Sequence, residues 1–178
     1  MAAGETTPYP DGLGDSHAAR AGWLGRHANL LSLVVLGTLM ALALSGVLAG
    51  GRSAPRVAET AAATVAVTTP TTLRNGEFFE MRIRVAAKAP IAKLGLALPP
   101  GLWRDMTVNT VIPAASEESF KDGAFRFDYG ALGAGEVLEV KVDGQINPPL
   151  TVGTQGDVTL YDGDRAIAAV PLSIRVLP

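Results

Sequence analysis

VLEVKVDGQI, residues 137–146, is the stretch on which the reading of the fold turns. Leu138, Val140, Val142 and Ile146 alternate with Glu139, Lys141, Asp143 and Gln145, the period of two expected of a strand covered on one face only. The same period runs outward in both directions. Phe79, Met81, Ile83 and Val85 alternate with Glu80, Arg82 and Arg84. Further sets are Leu94, Leu96 and Leu98; Met106, Val108, Thr110 and Ile112; Phe125, Phe127 and Tyr129; Val158 and Leu160; Leu172, Ile174 and Val176. Turn chemistry separates them: Asn75-Gly76, Pro99-Pro100-Gly101, Asp122-Gly123, Gly133-Ala134-Gly135, Asn147-Pro148-Pro149 and Asp162-Gly163-Asp164. A Thr/Val-rich segment, residues 64–69, suits an edge strand. Seven or eight short strands with no helical period among them predict an all-β antiparallel sandwich over residues 64–178.

The order of LALPPGL, residues 96–102, and FRFDYGALGAGEVLEVKVDGQIN, residues 125–147, resembles the bacterial immunoglobulin-like conserved-repeat domains of envelope and surface proteins. The matching residues are Leu98, Pro99, Gly101, Leu102, Leu132, Gly135 and Glu136. The polar Asn-x-Gly turn that such domains often carry after their second strand is replaced by Ala86-Ala87-Lys88-Ala89-Pro90. The resemblance implies an immunoglobulin-like sandwich with an adhesive or scaffolding role, and it brings no catalytic residues with it.

Before the sandwich the composition changes. No residue from 28 to 51 is charged, and residues 30–48 read LLSLVVLGTLMALALSGVL. As a helix, nineteen residues span about 28 Å, close to the roughly 30 Å of a bilayer's hydrocarbon. The expectation is a transmembrane helix over residues 29–50, favoured over a cleaved signal because the run is long and 29 residues precede it. Arg20 and Arg26 before the run balance Arg52 and Arg56 after it, so the charge rule leaves orientation open. A short tail, a hydrophobic segment and then a folded domain suggest a signal-anchor. Residues 1–28 are then a cytoplasmic tail, 51–63 a linker and 64–178 a periplasmic domain on the inner membrane. Trp23 falls where an indole anchors at headgroup level. Gly37, Ala41, Ser45 and Ala49 recur every fourth residue, a stripe of small side chains along which a partner helix could pack.

The residues for chemistry are sparse. The chain of 178 residues has no cysteine and a formal charge of −2, which excludes thiolate chemistry and a basic nucleic-acid surface. Its two histidines, His17 and His27, precede the sandwich, so no Ser-His-Asp arrangement can form there. Asp157, Asp162 and Asp164 lack the ligand spacing of a calcium loop and read as hairpin surroundings. Glu117-Glu118 reads as part of a solvated loop, because neighbours on extended backbone point apart. No cofactor, metal or small-molecule ligand is implied. Leu102 and Trp103, after the Pro-Pro-Gly turn, are candidate loop contacts. Two functions fit a chain of this kind that is not an enzyme. In one, a single-pass accessory subunit packs its helix into a larger membrane complex, respiratory or photosynthetic for instance, with the sandwich as brace. In the other, a stand-alone anchored module binds an envelope partner or ligand.

Overall fold

A computed structural model of the chain describes residues 23–47, 53–150 and 152–178. They form two compact units, divided between Ala41 and Leu42.

The first unit holds helix α1, Trp23–Leu44, as far as Ala41. None of the helices among the described residues is long and apolar enough to cross a membrane. This corrects the expected transmembrane helix over residues 29–50. The helix spends its first two turns on WLGRHAN, with Arg26, His27 and Asn29, and it ends at Leu44. Gly46, at φ 72°, then turns the chain, and its amide donates to the Ala43 carbonyl at 3.3 Å. The continuous apolar helix is therefore residues 30–44, about 22 Å against a hydrocarbon core of roughly 30 Å. The orientation drawn from the span loses its basis with it.

The second unit is a β-sandwich of eleven strands. One sheet has five strands in the order β1 (Arg56–Glu59), β2 (Ala63–Thr68), β4 (Phe78–Ala87), β9 (Val137–Ile146) and β6 (Met106–Ile112). The other has six, in the order β3 (Thr72–Arg74), β11 (Arg165–Leu177), β10 (Gly153–Asp162), β5 (Ile91–Leu98), β8 (Ala124–Leu132) and β7 (Glu117–Lys121). Arg56–Glu59, in the stretch expected as linker, pairs as the edge strand β1. That places β2 inside the sheet rather than at its edge. Every pair is antiparallel except β3 with β11. β3 comes about a hundred residues before its partner, far beyond the dozen or so a parallel crossover requires.

Both sheets contribute to one core. Val65, Met81, Ile83, Val140, Val142 and Ile146 of the five-stranded sheet meet Leu94, Leu96, Leu160, Leu172 and Ile174 of the other. The alternation expected in β4 and β9 is realised, and the gap it leaves at Gly144 is filled by Phe79, the residue paired with it. A Cβ on Gly144 would lie 2.7 Å from the Phe79 ring, so the missing side chain is what lets that ring lie flat across the strand. β5 is buried on both faces from Leu94 to Leu98. Its outward residues, Gly95 and Ala97, lie between β10 and β8. There Arg126 of β8 stacks its guanidinium over the Tyr161 ring of β10, 4.1 Å from the centroid.

β6 departs from the expected alternation. Met106 and Val108 pair with Ile146 and Gly144 on the inner face, but the register then shifts between Val108 and Thr110. Asn109 is the extra residue of a β-bulge, and it reverses the parity of the rest of the strand. Val111, paired with Val142, faces inward, while Thr110 and Ile112 face outward beside Asp143 and Lys141. The Thr110 hydroxyl accordingly donates to Asp143 at 2.9 Å.

Candidate interaction site at the open side of the sandwich

Sheets of five and six strands do not match. On one side, β1 and β2 lie against β11. On the other, β6 and β7 are the last strands of their sheets, and β7 is exposed along all five residues. Among the described residues its inner face is left open.

The inner face of β7 is set by its pairing. Asp122 and Gly123 both take positive φ, 53° and 76°, the conformation of a two-residue type I′ hairpin turn. Phe120 is thereby set opposite Phe125, and Glu118 opposite Phe127. Phe127 belongs to the core, so Phe120 and Glu118 share its inward side while Ser119 and Lys121 face out.

A row of rings leads from the core to this side. Trp103 lies tilted against Phe127 at 5.6 Å between centroids and stacks on Phe125 at 6.0 Å. Phe125 then meets Phe120 edge-on at 5.2 Å. Exposure climbs along the row, from 8% at Phe127 to 37% at Phe125 and 61% at Phe120. Aromatic pairs in such geometries add to the stability of their burial, so the rings hold one another in place while the outermost stays open. Across from them, Val108 of β6 is exposed and Met106 and Val111 are half-buried. Tyr129, also on β8, keeps its hydroxyl buried without a hydrogen-bond partner among the described residues. Burial, with the Glu118 carboxylate adding to it, pushes its pKa up to about 12, so the phenol remains a proton donor.

Of the residues singled out from sequence, Trp103 belongs to this row. Leu102 does not: it is fully buried, because the Pro-Pro-Gly turn winds into a single helical turn, α2 (Pro100–Trp103), rather than a loop. The Thr154 hydroxyl holds that turn by donating to the Leu102 carbonyl at 2.8 Å. Trp23 opens α1, and its side chain lies outside the described residues. Gly37 and Ala41 are in α1, with open space above Gly37. Ser45 sits in the turn after the helix, its hydroxyl donating to the Leu42 carbonyl at 2.7 Å, and Ala49 lies outside the described residues. The stripe of small residues is therefore not continuous along one helix. His17 also lies outside the described residues.

Asp162 and Asp164 have structural partners. Asp162 accepts from the amides of Ala92 and Lys93, both at 3.0 Å. Asp164 pairs with Lys121 and, at 3.6 Å, with Arg126, and these cations hold its carboxyl below the usual range, Lys121 foremost. Glu117 and Glu118 lie in β7, not in a loop, and pair with Asp128 and Phe127 on opposite faces. Phe120 is the site residue that sequence reasoning misses. Its signal is Asp122-Gly123 flanked symmetrically by Phe120 and Phe125, the pattern of a tight hairpin. Compared with known proteins, the chain matches no family model and no curated protein.

Proposed function

We propose that this chain is a non-catalytic accessory subunit whose β-sandwich binds a partner protein along its open side. The observation that carries the reading is the aromatic row ending at Phe120, 61% exposed on a strand that is exposed along its whole length. Large aromatics in well-packed surroundings dominate binding energies between proteins, and a row anchored in the core presents such a surface already ordered. The low yield of catalytic groups supports the same reading: no cysteine anywhere, and no histidine beyond residue 27. The resemblance to envelope sandwiches with adhesive or scaffolding roles agrees with it.

The test is site-specific photo-cross-linking in the producing cell. A photoreactive phenylalanine analogue at position 120 or 125 is expected to trap one discrete partner, whereas the same probe at Arg84, outward on β4, is not. Phe120→Lys should lower recovery of that partner at least tenfold. Equal trapping from Arg84, or no discrete product from either aromatic position, would overturn the proposal.

A further inference from the structure

We propose that the open side is a strand-acceptor site: an extended segment of a partner polypeptide adds to β6 as a sixth strand of the smaller sheet. It would lie opposite β7 and lay alternate apolar side chains over Phe120 and Phe125. The inference rests on the reading of the open side as a partner surface and states the form the partner takes.

Three observations carry it. The first is the strand count: six strands face five, and at the open side β7 is exposed along all five residues, its inner-face Phe120 at 61%. A strand beside β6 fills that place.

The second is the chemistry of the edge. β6, MTVNTVI, has no charged residue, and five of its seven residues are β-branched. Natural edges are usually blunted by charge, brevity, a bulge or cover, and β6 has the bulge at Asn109 but neither charge nor brevity. The other three follow that rule: β1 carries Arg56 and Glu59, β7 carries Glu117, Glu118 and Lys121, and β3 has only three residues. Among the described residues β6 pairs with β9 alone, so one row of its backbone donors and acceptors is available for strand addition.

The third concerns who can use the edge. A second copy adding its own β6 antiparallel, about a two-fold axis through the sheet, would bring its larger sheet to the same side. The two charged β7 edges would then approach each other. A free extended segment has no such obstruction. Five residues of strand span about 17 Å, enough to run the length of β7. Glu118 shares the inner face with Phe120 and has no ion pair among the described residues, so the segment is apolar across from Phe120 and basic across from Glu118.

The probe is the synthetic peptide acetyl-Thr-Val-Thr-Val-Thr-Lys-Thr-amide, its lysine on the same face as its valines, titrated into the full chain carrying Trp23→Phe, in one non-denaturing detergent throughout. Trp103 is then the sole tryptophan and reports on the site by its emission. The expected result is a saturable change. A strand added at a sheet edge uses only one of its own edges. N-methylation of alternate residues along one peptide edge should therefore weaken binding at least tenfold, and along the other edge should leave it unchanged. Phe120→Lys, and separately Phe120→Ser, should weaken binding at least tenfold while thermal unfolding of the chain stays in place. No saturable change, or equal binding by both methylated peptides, overturns the strand-acceptor proposal. If the cross-link from position 120 is nonetheless discrete, partner docking stands and strand addition alone falls. If both experiments fail, both proposals fall.

Discussion

The sandwich has two sides, and they are finished differently. On the closed side, β1 is bound across to the other sheet, the Arg56 guanidinium donating to the Pro171 carbonyl of β11 at 3.0 Å. β3 is short, and its Leu73 is buried in the core at 1% exposure. Backbone bonds outside the ladders secure the same corner, Asn75 to Leu177 and Arg175 to Thr71, both at 2.9 Å. On the open side, β6 is uncharged and β7 is exposed along all five residues. An edge can be closed by charge and cross-links at small cost in sequence, and the open side is where the proposed partner would bind.

The largest expected effect tests whether the sides differ at all. Val140 and Val108 both face inward, yet Val140 is 1% exposed and Val108 37%. Val140→Asp buries an unpaired carboxylate and should cost several kcal/mol, on the order of the stability of such a domain. Val108→Asp should cost about 1 kcal/mol or less, since its carboxylate reaches water. Denaturant unfolding of the two variants gives the answer, and similar losses would mean the open side is closed in solution.

A second pair narrows the comparison to the edge strands. Leu73→Ala, on the closed side, should cost about 2–4 kcal/mol through the cavity it leaves. Phe120→Ala should shift unfolding by about 0.5 kcal/mol or less, because most of that ring is already hydrated. A larger loss at Phe120 would make the ring row part of the core rather than a surface.

The smallest effect is electrostatic and belongs to the closed side. The Lys88 ammonium donates to the Glu59 carboxylate of β1 and holds its pKa below the ordinary 4.5. A carboxyl whose folded pKa is depressed adds stability that is complete above its unfolded value and lost as pH falls through the folded one. Glu59→Gln should therefore remove a small part of the melting temperature's fall below about pH 4.5, where the unfolded chain takes up the proton first. The exposed pair is screened by salt, so the difference should shrink as ionic strength rises.

Legibility in the sequence varies strand by strand. β4 and β9 read directly, because an unbroken alternation has one face that can be buried and no competitor for it. β6 misleads at Thr110 and Ile112, since a bulge adds one residue without any mark that composition records. β7 reads as a loop because its polar residues give no apolar period, although its hairpin turn is visible in Asp122-Gly123. The apolar run before the sandwich reads as long enough to span, because hydropathy counts residues and does not see the helix stop at Leu44.

The sequence by itself determined the sandwich class, the inner faces of its central strands and the scarcity of catalytic groups. These follow from local alternation, turn residues and composition, which depend on near neighbours along the chain. Only the tertiary structure decided that the two sheets differ by one strand, that α2 carries Leu102 inward while Trp103 joins Phe125, and that Phe120 ends an exposed row. Those facts depend on which distant strands pair and in what register, and pairing is settled by the packing of both sheets at once rather than by any segment alone.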